Sequence, residues 1–357
     1  MIGLLLGFTM LQTRDRTPIS ESDVVYQIFP RSFRDSNGDR HGDFKGITQG
    51  LDAIKRLGCT VILLNPIYKA RVYHNYFADD WFDVDPKFGT LADFRELLRK
   101  AHGKGIRVIL DMEPQYLADG HEWYKAALAN PKGPEADRLW KPVDNMPFGK
   151  SPWYDKAQVS LGRVNLDVPS VREEIHRNFR FWAEMGVDGF RIDHMMDDLD
   201  WKGTNKGLYR KLWSPLIKEI KRDFPGTYFV GEQADWESIR ALSEIMQDTP
   251  TDAVFNFRLR NALVTFKKGM IEKGLEEYAG LTPKGKAQLN FLENHDMVRF
   301  ATEEPSPAKQ RLAAAMLIAA KPLASEPGAL AEGRSGVKNK LEAGLIWVVS
   351  VSVTSYT

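Results

Sequence analysis

Apolar positions along the chain fall into two alternating rhythms. Val24 to Phe29 reads as a strand, and Ile47, Leu51, Ile54 and Leu57 recur at helical spacing until Gly58 stops the helix. Val61 to Leu64 is a second strand, ending at Asn65-Pro66. Thr90 with Asp93 three residues on forms a capping box, and the helix behind it carries Leu91, Phe94, Leu97 and Leu98 and ends near Gly103. Arg107 to Leu110 is a third strand, ending at Asp111. The rhythm then breaks: residues 113–169 are rich in Pro, Gly, Asp and Trp, show no clean periodicity, and are too long for a simple loop, so they are expected to form an inserted subdomain. It resumes with Ser170, expected to be capped by Glu173, and a helix bearing Val171, Ile175, Phe179 and Trp182. Further strands are expected at Gly189 to Ile192, Tyr228 to Val230, Ala253 to Phe257 and Gln288 to Leu292, separated by helical segments, with Leu345 to Val351 as a candidate eighth.

Repeated strand–helix alternation implies a parallel sheet with right-handed crossovers. Acidic residues at several strand ends favour closure into a (β/α)8 TIM-type barrel over an open sheet. The expected division is a leader over 1–22, a barrel over 23–112 and 170–357 with its eighth unit open, and the insertion over 113–169.

Composition narrows this picture little but excludes a good deal. The 357 residues suit a barrel of roughly 250 residues plus insertions. Apolar residues make up 43% and charged residues 27%, enough for a large core. Net charge is +1, so no charge excess points to nucleic acid or to a membrane surface. The nine Trp suit a protein that stacks sugar rings, although core packing accounts for most aromatics. Trp123, Trp140, Trp153 and Tyr154 in the insertion are either a sugar platform or subdomain packing. Cys59 is the single cysteine, so no intrachain disulfide forms, and it reads as a small buried hydrophobe. Met1 to Leu11 is apolar, too short to span a bilayer, and resembles a secretory signal without its basic start. A periplasmic or secreted location is therefore expected, with a cytoplasmic one as the alternative. Oligomeric state is not readable.

A barrel of this kind carries its active site at the C-terminal ends of the strands. The third strand closes on Asp111, the fourth on Arg191 and Asp193, the fifth on Glu232, and the seventh on His295 and Asp296. One acid at a strand end is often a turn residue. Acids, an arginine and a histidine from four strand ends at one mouth are a stronger signal.

At these residues the chain resembles glycoside hydrolase family 13, the α-amylase family, from about Val24 to Ile318. The likeness is carried by Tyr26-Gln27-Ile28-Phe29-Pro30-Arg31-Ser32-Phe33, by Asp85-Pro86-Lys87-Phe88-Gly89-Thr90, by Asn165-Leu166-Asp167 and by the four strand-end motifs. It resembles a divergent member of the oligosaccharide-acting, neopullulanase-like branch. The resemblance implies that Asp193 attacks the anomeric carbon, that Glu232 is the general acid/base, and that Asp296 binds sugar hydroxyls and stabilises the oxocarbenium-like transition state. It implies substrate contacts for Arg191, His295, Tyr76, Asp111, Tyr116 and Arg299, with an α-glucan oligosaccharide or small α-glucoside as substrate. It also implies structural calcium on the loop Asp35-Ser36-Asn37-Gly38-Asp39-Arg40-His41-Gly42-Asp43. There Asp35, Asn37, Asp39 and Asp43 would give side-chain oxygens and His41 its carbonyl. The alternative is an Asp/Asn-rich turn that needs no ion. The site is expected to be structural, because it sits away from Asp193 and Glu232 in the sequence order of strand ends.

Several positions depart from the family pattern. The third-strand motif, usually Asp-x-x-x-Asn-His, is Asp111-Met112-Glu113-Pro114-Gln115-Tyr116. Asp197 stands where a His often follows the nucleophile, and Tyr76-Phe77 replaces Tyr-Asp. These changes argue against ordinary starch specificity. The family's eighth-strand motif and following β-domain are missing after the helix Ala308 to Ala320, so the tail is expected to be truncated or altered. Two functions stay open: a retaining α-glycosidase with possible transglycosylation, or a barrel relative that binds sugar or a partner protein without turnover.

Overall fold

The computed structural model describes residues 18–20, 22–140, 159–199, 205–233, 239–319 and 346–350. In chain order its elements begin β1 (Val24–Ile28), α1 (Pro30–Phe33), α2 (Phe44–Arg56), β2 (Val61–Leu64), β3 (Tyr68–Lys69), β4 (Asp80–Val84), α3 (Leu91–Gly103) and β5 (Arg107–Met112). Then come β6 (Tyr116–Ala118), α4 (Glu122–Ala129), β7 (Leu161–Arg163), α5 (Pro169–Met185), β8 (Gly189–Ile192), α6 (Ser214–Asp223) and β9 (Tyr228–Gly231). The chain continues through α7 (Ile239–Asp248), β10 (Ala253–Phe255), α8 (Phe257–Leu263), α9 (Lys268–Leu281), β11 (Ala287–Phe291), α10 (Phe300–Glu303), α11 (Pro307–Ala319) and β12 (Ile346–Ser350).

Eight strands close a barrel in the order β1-β12-β11-β10-β9-β8-β5-β2. Every neighbouring pair is parallel. The expected eighth strand is β12, and it joins β11 to β1. In strands such as β2, β5 and β9, alternate residues feed different cores. Val61, Leu63, Ile109, Val230 and Leu289 pack inside the barrel, whereas Ile62, Leu64, Val108, Leu110, Phe190 and Phe229 pack outward against helix residues such as Ile47, Leu97, Phe179 and Trp182. Burial of both faces is why these strands read as continuous apolar runs rather than as alternating patterns.

Local signals set the helix starts. Thr90 and Asp93 form the expected capping box of α3. The helix α5 begins differently from expectation. It starts at Pro169, the residue at its N-cap is Val168, and no side chain caps it; Ser170 and Glu173 lie inside the helix. Pro supplies the helical φ at a position that has no use for an N–H, which removes the need for a side-chain cap. Gly186, at φ 107, ends that helix in the left-handed conformation. Ala253 to Phe257 was expected to be one strand, but β10 stops at Phe255, because the Asn256 side chain caps α8 by accepting from Leu259 N–H.

Two small antiparallel sheets escape the sequence pattern. The β3–β4 pair follows β2, and the β6–β7 pair lies within the segment between β5 and β8. In that segment Trp123 is buried, edge-on to Trp81 at 5.2 Å and under Arg138 at 5.0 Å, so it packs rather than offering a free platform. Trp140 lies under Arg163. Trp153, Tyr154, residues 1–17 of the expected leader and the tail at 320–345 lie outside the described residues. No helix among the described residues is long and apolar enough to cross a membrane.

Candidate active site

The inward face of five strands changes character at the C-terminal end. Val25 leads to Gln27, Leu63 to Asn65, Ile109 to Asp111, Gly189 to Arg191 and Val230 to Glu232, each two residues on and so on the same face. The result is a polar layer on top of the apolar barrel core. Gln27, Asn65, Asp111, Arg191 and Glu232 are all buried.

Arg191 is the hub of this layer. Its side chain is 1% exposed. Nη1 donates to Asp111 Oδ1 at 2.7 Å and, at closer range, to Asp193 Oδ1, while Nη2 lies 3.6 Å from Glu232 Oε2. Its guanidinium also sits 5.6 Å above the Phe255 ring. Tyr76 OH donates to Asp111 Oδ2 at 2.6 Å and receives Asn65 Nδ2 at 2.9 Å. Gln27 Nε2 lies 3.0 Å from His295 Nδ1. An amide N–H can only donate, so Nδ1 accepts and the His295 proton sits on Nε2, directed at Tyr76 OH 2.6 Å away. The Tyr76 and His295 rings stack 5.5 Å apart at 13°. Asp296 Oδ1 stands 3.4 Å from His295 Nε2.

These surroundings push the titrating groups apart. Burial raises the Asp193 carboxyl, but Arg191, a hydrogen bond from Glu113 and the nearby histidines outweigh it, and the net shift is below the usual Asp range. Burial raises Glu232 above the usual Glu range, with Arg191 opposing and the Asp193 charge adding to it. Burial likewise pushes Asp111 up to about 7 against the pull of Arg191, and raises Asp296. Burial, reinforced by Arg191, drops His295 to about 3, and burial next to His295 drops His74 to about 4, so both imidazoles are neutral.

Glu232 is further fixed by the backbone. His194, at φ 50, occupies the left-handed region that a side chain rarely adopts. In that conformation its N–H donates to Glu232 Oε2 at 2.9 Å. Met195 N–H donates to Glu232 O, tying the ends of β8 and β9 together.

A cavity of about 2670 Å³ opens over this layer, and Tyr76, Tyr116, Asp193, His295 and Asp296 are in its wall. Arg191, Asp111 and Glu232 are buried behind that wall. Arg299 is outside it; it ion-pairs with Glu293 at 2.7 Å. Of the departures from the family pattern, Phe77 and Tyr116 meet edge to face at 5.9 Å on the cavity wall. Gln115 is buried and braces the β8 loop. Asp197 is turned away: its carboxylate accepts Tyr209 N–H at 2.7 Å.

The Asp35–Asp43 loop reaches the cavity that holds the site. Asp35, Arg40 and His41 form an outer stretch of the same cavity wall, because Arg31 joins the loop to Asp85 at 2.6 Å and to His41 at 3.4 Å. Its oxygens are largely engaged with its own amides. Asp35 accepts N–H from Asn37, Gly38 and Arg40; Asn37 accepts from Asp39; Asp39 accepts from His41. Asp43 caps α2 through Gly46 N–H and holds Ser36. Gly46 and Gly42 let the loop close, since a Cβ would meet Arg34 O at 1.9 Å and Pro30 O at 2.1 Å respectively.

Gln27, Asn65, His74 and Glu113 were not singled out from the sequence. The two-residue parity that selects Asp111 and Arg191 also selects Gln27, Asn65 and Glu113, whereas nothing local marks His74.

A family model for the α-amylase catalytic domain matches residues 27–328. The chain belongs to the α-amylase family. An α-amylase 3 of Dictyoglomus thermophilum is 32% identical over 300 residues, covering 80% of this chain and 58% of that protein. A trehalose synthase/amylase of Mycolicibacterium smegmatis is 33% identical, covering 76% of this chain and 51% of that one. An oligo-1,6-glucosidase of Parageobacillus thermoglucosidasius is 36% identical over 193 residues, 34% of its length. This family member thus spans between a third and three-fifths of the length of these relatives. The crystal structure of an α-amylase from H. orenii superposes with a TM-score of 0.73 at 26% identity, covering 84% of this chain and 67% of that one.

Proposed function

We propose that the chain is a retaining glycoside hydrolase of α-glucosidic bonds, with Asp193 as nucleophile and Glu232 as general acid/base. The observation that carries this is the opposed pair on adjacent strands. Asp193 is held ionised by Arg191 at the cavity wall, and Glu232 is buried in surroundings that favour its protonated form. Two carboxyls pushed apart in this way supply an anion to attack and an acid to protonate the leaving oxygen. In the first half-reaction an Asp193 oxygen bonds to the anomeric carbon, the glycosidic C–O bond breaks, and the Glu232 proton goes to the departing oxygen. In the second, water adds to that carbon, its proton goes to Glu232, and the bond to Asp193 breaks. Asp296 would grip the sugar hydroxyls, the neutral His295 would hold Tyr76 through its Nε2 proton, and Asp111 would orient Tyr76 and Arg191.

Asp193→Asn is expected to lower kcat by several orders of magnitude on 4-nitrophenyl α-glucoside while leaving the melting temperature within a few degrees. Activity within about tenfold of the unchanged chain overturns the assignment and favours a barrel that binds sugar without turnover. The preferred substrates are short: the Phe77–Tyr116 pair narrows the wall beside Asp193. The likeness to an oligo-1,6-glucosidase is in keeping with that reading.

Structural calcium on the Asp35–Asp43 loop belongs to the same proposal. Its donors are hard oxygens, the chemistry Ca²⁺ requires. The shell itself is not assembled: among the described residues no three His, Cys, Asp or Glu side chains meet to hold an ion. Asp35, Asn37, Asp39 and the His41 carbonyl would have to turn toward it, and Asp43 would have to keep capping α2 as it did so.

A further inference from the structure

The end of β5 carries a buried carboxyl that the mechanism above does not use. Glu113 is 2% exposed and follows Ile109 and Asp111 at two-residue spacing, so it continues the inward face of β5 one step above Asp111. Three hydrogen bonds fix this segment against the end of β8. Asp193 N–H donates to Met112 O at 3.0 Å, and Gln115 Nε2 donates to Asp193 O and to His194 O, both at 2.9 Å. Gln115 N–H also donates to Glu113 Oε1, which fixes the glutamate side chain. So held, Glu113 comes one step past the Met112–Ile192 pair of the parallel β5–β8 register, which sets it beside Asp193, and both side chains are in the cavity wall.

Two carboxyls can hydrogen-bond only when one of them carries a proton. Arg191 decides which, because its guanidinium is ion-paired with Asp193. The anion therefore rests on Asp193 and the proton on Glu113. Burial and the adjoining Asp193 charge push the Glu113 carboxyl well above the usual range, in keeping with that placement.

We propose that Glu113 is a neutral carboxylic acid whose O–H donates to the Asp193 carboxylate, making it a positioning residue for the nucleophile. The inference rests on the reading of Asp193 as nucleophile. A donor on this carboxylate stabilises its anionic form. It tempers the attack and makes Asp193 a better leaving group when water cleaves the glycosyl ester. Glu113 keeps its proton through both half-reactions, and its hydrogen bond is strongest when Asp193 is free.

Other groups around this pair are Arg191 and His194 from β8 and its loop, Asp111 on β5, Glu232 after β9 and Tyr68 on β3. Tyr116 on β6, His74, His295 and Asp296 complete the set. The tyrosines and the imidazoles of His74 and His295 stay neutral across the neutral range.

The test compares Glu113→Gln, which keeps a neutral donor of the same shape, with Glu113→Val, which removes it. In pH profiles of kcat/KM on 4-nitrophenyl α-glucoside, the acid limb reports ionisation of Asp193. In Glu113→Val that limb should move up by about one pH unit, a tenfold change in proton affinity; in Glu113→Gln it should stay in place. Infrared spectra of ¹³C-glutamate-labelled protein at pH 7 should show a buried carboxylic-acid band that both variants lose. An unmoved acid limb in Glu113→Val, or no such band, overturns the proposal. Should Glu113→Val fail to fold, the band and the Glu113→Gln profile decide, and a limb shifted by a full unit in Glu113→Gln also overturns it. The band is independent of turnover. A band present alongside an active Asp193→Asn overturns the nucleophile reading, and a missing band alongside an inactive Asp193→Asn overturns this inference alone.

Discussion

Arg191→Met tests whether the guanidinium holds the site together by charge or by packing. Methionine fills much of the aliphatic stem and removes the cation. Asp111, with a fully buried side chain, and Asp193, 21% exposed, then lose their shared counter-charge. Removing one partner of a buried ion pair costs about 3–5 kcal/mol. Solvent screening relieves little of this at Asp111, because neither it nor Arg191 reaches water. A chain of 357 residues gains about 0.75 kcal/mol/K of unfolding entropy at about 2.1 cal/mol/K per residue, so the expected fall in Tm is about 4–7 °C. The loss should depend on pH with a defined sign. Without Arg191 the folded pKa of Asp111 rises further above its unfolded value and that of Asp193 rises from below its own, so the stability they contribute is retained below about pH 4 and lost as pH rises toward the raised folded values. Calorimetry at pH 5 and pH 8 should therefore show a deficit for the variant that is small at pH 5 and full at pH 8. Adding Asp111→Asn, which neutralises one stranded carboxylate and still accepts from Tyr76, should restore part of the loss at pH 8. A deficit equal at both pH values, or no recovery in the double variant, would refute the charge argument and leave Arg191 as a packing residue above Phe255.

Two further outcomes follow from the cavity wall and its outer loop. Small α-glucosides should be turned over faster than soluble starch, because Phe77 and Tyr116 crowd the wall beside Asp193; starch outpacing every small glucoside in a parallel rate comparison would rule this out. If calcium occupies the Asp35–Asp43 loop, chelation should lower Tm and added Ca²⁺ restore it; an unchanged melting curve together with no metal by elemental analysis would show that the loop's own amide hydrogen bonds suffice.

The barrel was legible in the sequence because both faces of its strands are buried. Ile62 and Leu64 face the helices, and Val61 and Leu63 face the interior, so the run Val61 to Leu64 has no polar break to hide it. The acids at strand ends were legible for a related reason: the inward face turns polar where the apolar core stops, as from Ile109 to Asp111 and from Val230 to Glu232. The antiparallel pairs β3–β4 and β6–β7 were not, since strands of two to five residues owe their pairing to partners distant in sequence rather than to their own pattern. Protonation was legible only through the family resemblance, whose roles ask for an ionised Asp193 and a protonated Glu232. Asp111, Glu113, Asp193 and Glu232 are the same functional group, and residue type alone assigns each the same charge. Burial beside a single shared guanidinium separates them. Arg191 touches Asp111, Asp193 and Glu232, and one positive charge balances one carboxylate, so the others are driven toward their neutral forms. Asp193, the acid that combines contact with Arg191, a donor from Glu113 and some access to water, is the one that stays ionised. The division of labour among these acids is thus set by one arginine and by depth beneath the cavity floor, quantities that exist only once the eight strands have closed.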